Sequence, residues 1–220
     1  RRRMLEAYIE HFETGDVAHH KEAQRWWVKD TKPTVEFNIG FIETYEDPVG
    51  VRAEWETFVA VVGKEKTREL DELVAHASDI LPTLPWDAVF EKTEFIKPAF
   101  TAIDILGFGT SGLPIGINLP NYGDVRMEGF KNVSLTNVMQ ARGAAKTEQI
   151  PFISPEDHDV FAALDARCLE IVVALHELYG HGSGRYLRRD QGVANFPEGT
   201  LNPFTKKPVR CYIDTENYHT

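Results

Sequence analysis

Two cysteines, Cys168 and Cys211, stand far apart in the 220 residues and form no Cys-x-x-Cys pair. That scarcity excludes a disulfide-stapled scaffold and a thiolate zinc cluster, and it suits a reducing, cytoplasmic setting. Long apolar runs are missing as well, because the longest, around Ile171 to Leu175, falls far short of the roughly 20 residues a membrane span needs. Positive charge is in deficit: 24 Lys and Arg face 34 Asp and Glu, a net charge of −10. Nucleic acid and anionic membrane are therefore disfavoured as partners, and a cationic ligand is favoured. The opening Arg1-Arg2-Arg3-Met4-Leu5 lacks the apolar segment of a secretion signal. Both ends are expected to be artificial, the first for want of an initiator methionine and the last for want of a helix stop. Internal repeats and low-complexity tracts are absent.

What the chain does have is apolar material, 42% of its residues, enough for one large or two modest domains with a packed core. Met4, Leu5, Tyr8, Ile9 and Phe12 recur at helical spacing, and Gly15 supplies a stop. A second helix is expected from Ala18 to Val28, and Thr34 to Ile42 reads as a strand. Asp47-Pro48-Val49-Gly50 is turn chemistry. Beyond it Trp55, Phe58, Val59, Val62, Leu70, Leu73, Val74, Ala77 and Ile80 predict a long helical region, interrupted at Gly63 and closed by Pro82 and Pro85. Phe100 to Leu106 is a predicted strand, and the glycine- and proline-dense stretch from Gly107 to Asp124 an ordered loop of the kind that lines sites. Ser154-Pro155-Glu156-Asp157 opens a helix, with a second start available at Asp165. Cys168, Ile171, Val172, Leu175 and Leu178 form the apolar stripe expected to bury that helix, with Cys168 as a small core hydrophobe.

The segment that carries chemistry is His176-Glu177-Leu178-Tyr179-Gly180-His181. Neutral imidazoles suit zinc, and a neighbouring carboxylate can take a proton from an activated water, so this is a metallopeptidase pattern. Its spacing is unusual. Five residues at about 100° each leave the two histidines roughly 140° apart on a regular helix, too far round to share one ion. A locally widened turn brings i and i+5 into register, and Gly180 sits where such an irregularity is easiest to accommodate. The bland alternative is a helix that ends at Gly180 with two histidines in its last turn. A rival motif, Gly107-Phe-Gly109-Thr-Ser-Gly112, fits the dinucleotide-binding pattern, but Leu113-Pro114 follows it where a helix must open. Asn132-Val-Ser134 is a formal glycosylation sequon best read as a turn or strand end, and Trp26, Trp27, Trp55 and Trp86 read as core or interface aromatics.

The hexapeptide, with its one-residue insertion, resembles the HExxGH signature of the dipeptidyl peptidase III family of zinc exopeptidases. Three further stretches are similar to that family in the same order. These are Val35-Glu36-Phe37-Asn38-Ile39-Gly40-Phe41-Ile42-Glu43-Thr44-Tyr45 with Asp47-Pro48, then Gly116-Ile117-Asn118-Leu119-Pro120-Asn121-Tyr122, then Gly129-Phe130-Lys131-Asn132-Val133-Ser134-Leu135. The resemblance runs from about residue 4 to residue 220. It implies zinc held by His176 and His181, with Glu177 as general base for release of dipeptides from the N-terminus of oligopeptides. It also implies that Glu36, Asn118 and Asn121 hold the substrate's free amino group, which an ammonium's need for acceptors and negative charge makes sensible. Asn38 stands where animal members carry a tyrosine that helps hold substrate. The family's third zinc ligand, a glutamate in an acidic motif on a later helix, has no counterpart after His181, and Glu216 lacks that context. A piece with two histidines alone is expected to bind zinc weakly and hydrolyse little. The alternative is a catalytically inactive peptide-binding fragment or pseudoenzyme. The implied fold is α+β and two-lobed and the chain incomplete, with residues 1–56 and 102–147 in a lower lobe containing a β-barrel and residues 57–101 and 148–220 in a mainly helical upper lobe carrying zinc. Expected partners are oligopeptides with a free N-terminus, not nucleic acid or membrane, met by a monomeric enzyme.

Overall fold

Gly15 and Asp16 divide the N-terminal region into two helices. The computed structural model describes residues 1–43, 54–110, 112–144, 151–190, 192–209 and 213–214; the Asp47–Gly50 turn, Cys211 and Glu216 lie outside them. Helix α1 (Arg2–Thr14) stops where Gly15 takes φ 75° and donates its N–H to His11 O at 2.8 Å, a left-handed conformation that glycine adopts without a Cβ clash. Helix α2 (Val17–Lys29) opens on Asp16, whose Oδ1 accepts from Ala18 N at 2.8 Å. The inward face of α1 is Met4, Ala7, Tyr8 and His11. Leu5, Ile9 and Phe12 lie on its outer side, so the buried stripe is rotated from the predicted one.

Strand β1 (Val35–Glu43) forms as expected and pairs with β2 (Glu54–Val62), both antiparallel. The second of these corrects the sequence reading, which gave Trp55 to Val62 to a helix. Glu56, Phe58 and Ala60 point inward while Trp55, Val59 and Val61 point outward, a period of two. A two-faced strand rich in valine also places apolar residues three and four apart, and here its β-branched and aromatic content prevails. Helix begins only after Gly63, with α3 (Lys64–Ala75) and the short α4 (Ala77–Ile80).

Strand β3 (Ala99–Gly109) covers the predicted Phe100–Leu106 and runs beyond it. The expected loop after it holds regular structure: β4 (Gly116–Leu119) and α5 (Gly123–Glu128), followed by β5 (Lys131–Leu135) and α6 (Thr136–Ala144). The strands form one sheet in the order β1-β2-β3-β5-β4, antiparallel except for the β3–β5 pair. It curls strongly enough for Lys131 on β5 to reach Glu36 on β1. One core packs α1 and α2 against this sheet through Tyr8, Trp27, Phe58, Ile103 and Leu119. A second core packs Leu70, Val74 and Ala77 with Phe100 and Ala102 of β3 and with Leu178. The architecture is thus α+β.

A 3-10 turn at Pro155–Asp157 leads into α7 (His158–Leu175), an uninterrupted helix with no new start at Asp165. Its packing differs from the predicted stripe. Ile171 and Val172 are 52% and 61% exposed and Cys168 is exposed, whereas Val173, Ala174 and Leu178 are buried. This helix is apolar on more than one side, and Ala174 and Leu178, at the end that docks, share a buried cluster with Phe100 and Ala102. A small sheet of β6 (Arg188–Asp190), β7 (Val193–Ala194) and β8 (Ile213–Asp214) follows. Among the described residues no helix is long and apolar enough to cross a membrane.

Candidate metal centre

At His176 the α-helical pattern of α7 gives way to a π turn over His176–Gly180. His181 N donates to His176 O at 3.0 Å, the i+5 bond that a widened turn requires. The two imidazoles thereby come together, ring centroids 4.7 Å apart and planes at 85°. One ligand atom from each of His176, Glu177 and His181 lies within 4.8 Å of the others. Both histidines are exposed and Glu177 is buried. Two imidazole nitrogens beside a carboxylate oxygen suit a borderline divalent metal such as zinc. The His181 imidazole is held below its ordinary pKa, first by partial desolvation and then by its neighbours His176 and Arg126. That favours the neutral form a metal binds.

Donors from outside the helix take the carbonyls of this segment. Asn118 Nδ2 donates to Glu177 O at 3.4 Å, Arg126 Nη2 to His181 O at 2.7 Å and Lys92 Nζ to Gly182 O at 2.6 Å. Positive and amide groups therefore meet the negative end of the helix, as the dipole favours. Residues 89–92 pin the exit of the turn, because Arg185 N donates to Phe90 O at 2.9 Å and Gly184 N to Glu91 Oε2 at 3.0 Å. Beside His181 lies a cavity of about 750 Å³ bordered by Lys92, Arg126 and Arg185 with one carboxylate, Glu94. Burial lowers the Lys92 pKa, and Arg126 lowers it further.

The structure gathers some predicted residues here and not others. Asn118 sits on β4 against the π turn and donates to Asn132 Oδ1 at 2.5 Å, while Asn118 Oδ1 and Asn132 Nδ2 are buried with no hydrogen-bond partner. Asn121 Oδ1 accepts from Arg126 Nη1 at 3.4 Å, and the same guanidinium holds His181. Glu36 and Asn38 lie elsewhere, on the β1 face beneath α1 and α2. Glu36 accepts from Trp27 Nε1 at 2.8 Å and pairs with Lys131, and Asn38 bonds to Tyr8 and Gln24. Sequence reasoning missed Arg126 and Lys92, for which no local pattern exists, and passed over Gly116 and Gly182. The dinucleotide motif begins in the last residues of β3 and runs past its end at Gly109, and β4 rather than a helix is the next regular element.

The model of peptidase family M49 matches residues 1–220. Curated relatives called dipeptidyl peptidase 3 include one from Dictyostelium discoideum, 50% identical over 209 residues, which are 94% of this chain and 30% of that protein. The Homo sapiens protein is 44% identical over 212 residues, 95% of this chain and 29% of its own length. This chain thus spans about three tenths of these relatives. Among solved structures, dipeptidyl-peptidase III from Corallococcus sp. strain EGB has a TM-score of 0.67 at 24% identity, covering 88% of this chain and 36% of that one. DPP III from Caldithrix abyssi has a TM-score of 0.65 at 21% identity, covering 88% and 37%.

Proposed function

The chain belongs to peptidase family M49, and from that premise we propose that it is the metal-carrying part of a dipeptidyl peptidase releasing dipeptides from the N-terminus of oligopeptides. The observation that carries this reading is the π turn, which brings His176, Glu177 and His181 within 4.8 Å of one another. His176 and His181 would hold zinc. Bound there, zinc supplies Lewis acidity, lowering the pKa of water and polarising the peptide carbonyl. Glu177 accepts the proton of the attacking water and returns it to the leaving amine. A catalytic zinc takes three protein ligands, and among the described residues only this histidine pair and Glu177 form a metal-capable cluster. The third ligand is assigned to polypeptide outside them.

The amino group of the substrate is assigned to Asn118, Asn121 and Glu36. Asn118 supports its part with a buried, unpartnered Oδ1, an acceptor suited to an ammonium. Glu36 takes that role only by turning from Lys131, and Asn38 contributes only by leaving Tyr8 and Gln24. The lobe divisions at 56/57, 101/102 and 147/148, a monomeric state and a cytoplasmic setting belong to the same proposal. The test is zinc content and dipeptide release from a dipeptide-naphthylamide by the full-length gene product that carries this sequence, before and after chelation. One zinc with chelator-sensitive release is expected. Peptide affinity that survives chelation, with no release, would favour the second reading, a peptide-binding protein without a complete metal site.

A further inference from the structure

Gly116 lies in the middle of the chemistry without taking part in it. It opens β4, pairs with Ser134 and has no left-handed φ, so the backbone does not require glycine there. A glycine in a strand otherwise weakens it and often marks close approach of another group. The group here is the Glu177 side chain. A Cβ built on Gly116 meets Glu177 Oε1 at 2.4 Å, Glu177 Cδ at 3.0 Å and Val173 Cγ1 at 2.9 Å. Two residues on, the same face of β4 presents Asn118, which donates to the Glu177 carbonyl. One strand thus holds both ends of residue 177, the carboxylate through a missing side chain and the backbone through an amide.

We infer that Gly116 is a positioning residue for the Glu177 carboxylate, its bare Cα forming the wall that fixes where the general base points. The inference rests on the proposed role of Glu177. An ordinary contact begins near 3.4 Å, so Gly116→Ala displaces the carboxylate by about 1 Å. A misplacement of that size costs about 100-fold in rate.

The experiment is a double-mutant cycle in unfolding with a kinetic measurement beside it, both in the full-length gene product that carries this sequence. In thermal unfolding, Gly116→Ala is expected to lower the midpoint in the wild-type background and to lower it far less in a Glu177→Ala background, where the clashing carboxylate is gone. In dipeptide release, Gly116→Ala is expected to reduce kcat about 100-fold with KM and zinc content unchanged. Equal midpoint losses in both backgrounds, or an unchanged kcat in a protein that releases dipeptides, would overturn the inference. Should Gly116→Ala not fold, Gly116→Ala with Val173→Ala removes the other contact and carries the same measurements. A zinc-loaded wild type that releases nothing would sink the peptidase reading instead, while the unfolding cycle still tests the Gly116–Glu177 contact.

Discussion

Lys131 Nζ lies 2.5 Å from Glu36 Oε2 with both side chains shut away from water, although β2 and β3 separate their strands in the sheet. Lys131 also donates to Asp30 O at 3.0 Å and sits 4.4 Å from the Trp27 ring centroid. Its pKa is lowered by burial and raised again by Glu36. Removing one partner leaves a buried charge with nothing to offset its desolvation, at a cost of about 3–5 kcal/mol. Glu36→Gln should therefore lower the urea midpoint sharply, and adding Lys131→Met should recover most of the loss. A change for Glu36→Gln of about 1 kcal/mol or less, the worth of an exposed pair, would show that the curl of the sheet does not depend on this contact.

His20 makes stability depend on pH. It is 1% exposed, with Nε2 3.0 Å from Ile39 O and Nδ1 2.9 Å from Tyr122 Oη. The neutral ring satisfies both by donating from Nε2 and accepting at Nδ1. Desolvation, with a smaller push from nearby His11, lowers its pKa from 6.5 to about 4. Above pH 6.5 neither folded nor unfolded chain is protonated at this site, so nothing is lost. As pH falls from 6.5 to about 4, only the unfolded chain takes the proton, and about 3 kcal/mol of stability drains away. His20→Gln should flatten the unfolding midpoint across that window, and an unchanged slope would assign the acid sensitivity to other groups.

The glycine that the metal-holding turn needs is Gly182. A Cβ there would lie 2.0 Å from the backbone oxygen of Leu178, whereas at Gly180 it would meet nothing nearer than 3.9 Å besides the backbone of its own turn. Gly182→Ala should therefore distort the turn and weaken zinc or cobalt binding about 10- to 100-fold, as loss of a ligand's support does. Gly180→Ala should leave it within about twofold. Metal titration of the two variants decides the matter, and equal affinities would mean that the turn adapts.

That contrast shows what a sequence can and cannot display. The i, i+5 spacing of His176 and His181 demands a widened turn whatever surrounds it, and the structure has one. Gly180 attracts notice because it lies inside the motif, while the need for Gly182 depends on the exact course of the turn past Leu178 O and on Phe130, which packing brings near. Glu56, Phe58 and Ala60 alternate legibly, yet the same segment meets a helical spacing, and the β1 partner settles the choice. Asn118 reaches the turn because β4 pairs with β5 beneath it, and Asn121 is tied to it through Arg126. Glu36 and Asn38 share the family-like stretch with strand alternation that points them under α1 and α2, and no local pattern reveals that Lys131 and Gln24 await them there.

Glu177→Ala separates metal holding from proton transfer. The imidazoles are brought together by the backbone bond from His181 N to His176 O and by Arg126 on His181 O, neither of which uses the Glu177 side chain. The carboxylate instead lies against Gly116. In the full-length gene product, Glu177→Ala should thus keep its zinc while kcat falls roughly 10²- to 10⁴-fold, the range of general acid–base catalysis. Glu177→Asp keeps the charge but draws it back by one methylene, so it should fall between wild type and alanine. Zinc content by elemental analysis and release from a dipeptide-naphthylamide read the two effects separately. Turnover close to wild type in a zinc-loaded Glu177→Ala protein would remove Glu177 from proton transfer and leave it a packing role beside β4.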